Sequence, residues 1–252
     1  MANSFLRTAV LAAASTLVLG TGVALGANST ADDAYAAAAP VSTPALAPMS
    51  IPEAAAPATT SPVGALFANG SHFCSASVVH SGAGDLVLTA AHCVKDGMAF
   101  APGYHDGVAP LGMWTVTDVA VAAGWTSAAD PDLDFAFLTV HQAGNTASLE
   151  SLTGANTLGI DQGFDHEITL TGYPDTTDSP VVCSGETTRS DTYQQRIACP
   201  GFPDGTSGGP WVTNGVVVGV IGGYQLGGDT PDVSYSAYFD DDIQQLYTSA
   251  AG

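Results

Sequence analysis

The chain has 252 residues, enough for one large or two small domains with a sizeable core. Lys and Arg total 4 against 24 Asp and Glu, a formal charge of -20. That balance excludes a nucleic-acid partner, because no basic patch exists to displace counterions from a phosphate backbone. Hydrophobic residues make up 46%, and 29 glycines and 15 prolines imply many turns between short strands. The acidity itself reads as solubility outside the cell.

At the N-terminus Arg7 supplies a positive start, and Thr8 to Leu19 is an apolar run too short to span a bilayer. Small-residue cleavage sites follow near Ala24-Leu25-Gly26 and at Ala34-Tyr35-Ala36, so a signal peptide over 1–27 is expected, with cleavage between 26 and 36. No later apolar stretch reaches spanning length, so no membrane contact is expected once the signal is removed. Residues 28–61 are rich in Ala, Pro, Ser and Thr, with neither strand alternation nor a helical stripe. Repeated proline favours extended chain, which makes this segment a linker or propeptide.

From Ser61 onward, short apolar runs alternate with turn signals. Val63–Ala68 and His72–His80 read as strands joined by a hairpin turn at Asn69-Gly70. Further strands are expected at Leu86–Ala90, Met98–Tyr104, Met113–Ala122 and Phe135–Val140. In the second half they fall at Ile168–Tyr173, Val181–Thr188, Gln195–Cys199, Pro210–Thr213, Val216–Ile221 and Ser234–Phe239. Only Asp240–Ser249 reads as a helix, with Ile243, Leu246 and Tyr247 on one face. Many short, evenly spaced strands make this an all-β chain of the sandwich or barrel kind.

Four cysteines, Cys74, Cys93, Cys183 and Cys199, allow three disulfide connectivities in an exported chain. The pairs Cys74–Cys93 and Cys183–Cys199 are favoured because they staple each half separately. Each bridge closes a short loop and contributes roughly 3 kcal/mol by chain-entropy reasoning. With no C-x-x-C or H-E-x-x-H motif, neither a metal site nor a cofactor is expected.

The stretch Asp204-Gly205-Thr206-Ser207-Gly208-Gly209-Pro210 carries a serine between glycines. Such a loop turns sharply, exposes the Ser207 hydroxyl and aims the Gly205 and Ser207 N–H groups at one point, as an oxyanion hole requires. A serine hydroxyl needs a base within reach and a group to orient that base. Of six histidines, His92 stands at the end of an apolar strand in Thr89-Ala90-Ala91-His92-Cys93. His72, His80, His105, His141 and His166 lie in polar, turn-like surroundings and read as surface residues. Asp134 opens the apolar run Phe135-Ala136-Phe137-Leu138, where a buried carboxylate would need an imidazole N–H. Asp132 is the rival acid. A calcium loop over Asp130, Asp132 and Asp134 fails, because Phe135 stands at the required glycine and His141 at the closing glutamate.

Chain order separates the catalytic architectures. A nucleophile elbow of the α/β-hydrolase kind needs its histidine after the serine, and none follows Ser207. The order His92, Asp134, Ser207, with T-A-A-H-C, D-F-A-F-L and G-T-S-G-G-P, resembles the chymotrypsin-like serine peptidases, nearest to the secreted bacterial glutamyl endopeptidase-like members. The resemblance implies two packed antiparallel six-stranded β-barrels with a C-terminal helix. The first barrel would lie within 62–150, and the second, with the helix, within 151–252. It implies a secreted, monomeric endopeptidase acting on proteins or peptides, with His92 as general base, Asp134 orienting it and Ser207 as nucleophile. Gly205 and Ser207 would form the oxyanion hole, and Gly201, Ile221, Gly222, Gly223 and Tyr224 the substrate pocket. The alternative is a catalytically inactive protein of the same fold that binds a protein or cell-wall ligand in the same cleft.

Two departures refine this expectation. Thr206 replaces the aspartate that, in animal-type members, pairs with a newly freed amino terminus, and no matching start occurs near Ser61–Leu66. Activity is therefore expected not to depend on terminus insertion. Ile221 stands where glutamyl-specific relatives carry a histidine, and Gly201 stands at the basic-residue selector of trypsin. A neutral or apolar residue is thus preferred at P1, the substrate position before the cleaved bond, while a basic residue stays open through Asp204, Asp229 or Asp232.

Overall fold

The computed structural model describes residues 53–54 and 61–251. The expected signal peptide and its cleavage sites lie outside the described residues, as does most of the 28–61 segment. Within that segment β1 (Glu53–Ala54) is a short strand paired antiparallel with Val181 and Val182.

The first half follows the sequence pattern closely. β2 (Val63–Ala68) and β3 (Ser71–Val79) form a hairpin in which Asn69 and Gly70 both have positive φ, 54° and 85°. This is the turn that matches the twist of paired strands. β4 (Leu86–Thr89), β5 (Ala99–Pro102), β6 (Trp114–Val121) and β7 (Ala136–His141) complete a closed barrel in the order β2-β3-β4-β7-β6-β5. β4 is buried along its whole length, and its run of Leu, Val, Leu and Thr shows no alternation because both faces pack. Two short helices that the sequence pattern does not signal, α1 (Ala123–Ala128) and α2 (Leu149–Thr153), lie in the connections.

The second half contains β8 (Thr157–Leu158), β9 (Glu167–Gly172), β10 (Val181–Asp191), β11 (Gln194–Ala198), β12 (Pro210–Thr213), β13 (Val216–Val220) and β14 (Val233–Ala237). They form one sheet in the order β14-β11-β10-β9-β12-β13-β8. The expected second barrel is not closed by a backbone ladder among the described residues. Instead, buried side chains bridge the seam between β13 and β14. Ser236 Oγ accepts from Val220 N at 3.0 Å and donates to Ala237 O at 2.7 Å. Gln195 Nε2 donates to Val218 O at 2.7 Å. Where the strands splay, the hydroxyl and amide meet hydrogen-bonding demands that a ladder would otherwise meet.

The helix α3 (Asp241–Ala250) returns to the first barrel. Its apolar face, Ile243, Leu246 and Tyr247, packs against the core that holds Phe135, Phe137 and Trp114. Tyr247 meets Phe137 edge to face with centroids 5.6 Å apart, and its hydroxyl donates to His80 O. Asp240 caps the helix by accepting from Asp242 N at 3.0 Å. Burial, ahead of the nearby acids Asp242 and Asp161, pushes its carboxyl above the usual range. A second core gathers Ile168, Leu170, Ile197, Phe202, Trp211 and Val218. Both disulfides take the favoured pairing, Cys74–Cys93 and Cys183–Cys199, with Cα atoms 6.1 and 6.0 Å apart.

His72 is a correction to the surface reading. Its residue is 9% exposed, and its ring lies 5.6 Å from both Phe67 and Tyr104. Strand β3 is covered on both sides at this point, so a polar sequence neighbourhood does not translate into an exposed face.

Candidate active site

His92 sits in a single 3-10 turn, Ala91–Cys93, immediately after the buried strand β4. The neighbouring disulfide at Cys93 ties this turn to Cys74 on β3. Asp134 follows another 3-10 turn, Pro131–Leu133, which Asp130 caps through Asp132 N. The Asp134 side chain is fully buried and accepts three N–H groups. His92 N donates to Oδ1 at 2.9 Å, His92 Nδ1 donates to Oδ2 at 2.7 Å, and Gly223 N donates to Oδ2 at 2.8 Å. A carboxylate only accepts, so the shared proton resides on Nδ1 and leaves Nε2 as the acceptor. The His92 side chain is 15% exposed, opening on the cleft.

The rival acid, Asp132, does not pair with His92. Its Oδ1 accepts from Gln194 Nε2 at 2.7 Å. The other histidines stand apart: His80 pairs with Glu150 at 2.7 Å, and His166 Nε2 bonds Gln162 O.

Ser207 lies on the loop before β12 and lines the same cleft as His92. The loop is shaped by close contacts that only glycines allow. Gly205 has φ +91°, and a Cβ there would collide with Asp175 N and Tyr173 O. At Gly208, φ +78°, a Cβ would strike Thr89 Oγ1 and Ser75 O. The carbonyls on either side are tied to the first barrel, since Ser75 Oγ donates to Gly205 O at 3.1 Å and Ser75 N to Ser207 O at 2.7 Å. Neither the Gly205 nor the Ser207 N–H has an acceptor among the described residues. Thr206 between them is 1% exposed, and its hydroxyl donates to Pro203 O at 2.7 Å.

The cleft has a volume of about 680 Å³. Apolar wall comes from Phe202, Pro203, Ile221, Leu226 and Pro231, and carboxylates from Asp175, Asp204 and Asp229, with neither Lys nor Arg among the lining residues. Of the expected pocket residues, Ile221 lines it, whereas Gly201, Gly222, Gly223 and Tyr224 do not. The Gly222-Gly223 pair makes room for other groups instead: a Cβ on Gly222 would lie 3.0 Å from Asp134 Oδ2, and one on Gly223 would collide with Gln194 Oε1. Tyr224 turns outward and meets Tyr235 edge to face at 5.1 Å. The wall is taken over by the bend that follows, where Gln225 and Leu226 both adopt left-handed backbone, φ 52° and 54°. Two adjacent non-glycine residues in that region carry no signal that could be read from residue type.

Residues 70–220 match the family described as the trypsin-like peptidase domain. Among solved structures, a protease, Anisep, from Arthrobacter nicotinovorans is similar over 80% of this chain and 99% of its own, with 27% identity and a TM-score of 0.69. A thermostable serine protease, AL20, from an extremophilic microorganism has 27% identity and a TM-score of 0.67, covering 76% of this chain and 97% of its own. A Glu endopeptidase shares the fold at 19% identity and a TM-score of 0.65, over 79% of this chain and 95% of its own. No curated protein sequence matches the chain. On the family match and the shared architecture, the chain belongs to the trypsin-like peptidases and is a serine endopeptidase of the chymotrypsin-like kind.

Proposed function

We propose that the protein hydrolyses peptide bonds through an acyl-enzyme formed on Ser207, with His92 as base and Asp134 as its support. The observation that carries this reading is the buried Asp134 carboxylate, held by three N–H donors and bonded to the Nδ1 of a histidine that faces the cleft of Ser207. His92 Nε2 takes the Ser207 proton as Oγ attacks the scissile carbonyl carbon. The oxyanion is received by the Gly205 and Ser207 N–H groups, each donor of this kind contributing about 3 kcal/mol to the transition state. His92 then returns the proton to the leaving amine, and water repeats the sequence to release the acid.

The lining disfavours an acidic P1 side chain, because a substrate carboxylate would meet Asp175, Asp204 and Asp229 with no cation to receive it. An apolar side chain fits the wall of Phe202, Pro203 and Ile221, and a basic one fits the carboxylates. Two disulfides and the expected signal segment support export to an oxidising compartment.

A serine-directed phosphonate tests the assignment. Native protein should be labelled at Ser207, with loss of peptidase activity in proportion to labelling. Folded protein that takes no label and cleaves no peptide would leave only a binding role for the cleft.

A further inference from the structure

Gln194 begins β11, in the second half of the chain, and is 5% exposed. Its side-chain amide serves two segments outside that sheet. Nε2 donates to Asp132 Oδ1 at 2.7 Å and to Pro131 O at 3.0 Å, one acceptor for each amide hydrogen. Oε1 accepts from Tyr224 N at 3.0 Å. The first segment is the 3-10 turn that runs directly into Asp134. The second is continuous with Gly223, whose N–H donates to Asp134 Oδ2. One amide therefore grips both the turn that presents the carboxylate and the residue that holds its inner oxygen.

Strand pairing does not require this arrangement. The backbone of Gln194 already pairs with Asp191 and Ala237 on either side. An apolar side chain would fill the same volume without having to satisfy four buried hydrogen-bonding demands. What the amide adds is a fixed separation between two pieces of backbone that both bear on Asp134.

We propose that Gln194 is a positioning residue for catalysis: it sets the Asp134 carboxylate against His92 by clamping the Pro131–Leu133 turn to the Gly223-Tyr224 bend. The proposal rests on the reading of His92, Asp134 and Ser207 as the reacting group. Without the clamp the carboxylate gains freedom, and the imidazolium that forms during attack is less well supported. A misplacement of this kind slows chemistry more than binding.

The experiment compares wild type with Gln194→Leu, Gln194→Glu, Asp132→Ala and the double variant Gln194→Glu/Asp132→Asn, each normalised to phosphonate-titrated sites and checked by thermal melting. Gln194→Leu should lower kcat about tenfold with KM within about twofold of wild type, and should move the midpoint of the kcat/KM pH profile downward. Gln194→Glu should be worse, because it sets a carboxylate against Asp132. The double variant exchanges donor and acceptor at position 132 but leaves Pro131 O without its donor, so it should recover part of the loss. If Gln194→Leu does not fold, Asp132→Ala breaks the same contact from its partly exposed side and should show the same kcat loss and pH shift. Variants that melt lower but keep the wild-type kcat, pH midpoint and no rescue pattern would overturn the positioning role. A folded wild type that neither labels nor turns over would instead remove the reacting group, and the positioning role with it.

Discussion

Ser75 N donates to Ser207 O at 2.7 Å, joining a strand of the first barrel to the loop of the nucleophile. The same residue's hydroxyl donates to Gly205 O at 3.1 Å and accepts from Tyr173 N at 2.8 Å, and it is fully buried. Ser75→Ala keeps the backbone bond but strands a carbonyl and an N–H in the interior. Such losses cost about 1–3 kcal/mol. Denaturant unfolding should show a loss of that size, and kcat/KM should fall alongside as the loop between Gly205 and Ser207 loses one of its anchors to the first barrel.

Removing the nucleophile separates chemistry from folding. Ser207→Ala should lower kcat by several orders of magnitude, on the order of a millionfold by analogy with other serine triads, while the melting temperature stays near wild type. In the wild type, kcat/KM should fall as the pH is lowered, because an imidazolium has no lone pair with which to take the Ser207 proton. A profile flat from pH 5 to 9 would contradict His92 as base.

The acid-lined cleft yields a ranking. Cleavage of a peptide library should place glutamate and aspartate at P1 last, with apolar residues ahead of them. Asp204→Asn should narrow the gap by weakening the repulsion, and added salt should narrow it too, since the Asp175, Asp204 and Asp229 side chains are solvent-exposed. Efficient cleavage after glutamate would refute this reading of the lining.

Tyr104 bears on alkaline stability. Burial, reinforced by its hydrogen bond to Asp178 at 2.6 Å, pushes its hydroxyl up to about 12 from an ordinary value of 10.0. The neutral phenol is therefore favoured in the folded state. That contribution is complete below pH 10 and is lost as pH rises from there through about 12. Melting temperatures across this window should fall in the wild type and fall less steeply in Tyr104→Phe. The variant should already be weaker at neutral pH by about 1 kcal/mol, for want of the Asp178 bond.

Much of the architecture is legible because it is written locally. The short apolar runs Val63–Ala68 and His72–His80, the Asn69-Gly70 turn and the short Cys–Cys spacings each depend on neighbours in sequence. Asp134 is legible for a related reason: an acid at the head of Phe135-Ala136-Phe137 has few ways to be buried without a donor. What escapes is the set of contacts made between distant segments. Gly223 N on Asp134, the Ser75 hydroxyl on Gly205 O and the Gln194 clamp leave no periodicity behind them. Helices α1 and α2 are too short to show a stripe, and the two residues of β8 are too few to alternate. The pocket wall is displaced by the same cause: Gly222 and Gly223 look like open space in sequence, and in three dimensions that space is taken by Asp134 and Gln194.

Thr206 closes its own hydrogen bond inside the loop, on Pro203 O, and is sealed from solvent. Thr206 thus offers no carboxylate to a freshly cut chain end, and the loop leans instead on Ser75 of the first barrel. An extended or chemically blocked amino terminus is therefore expected to leave turnover intact.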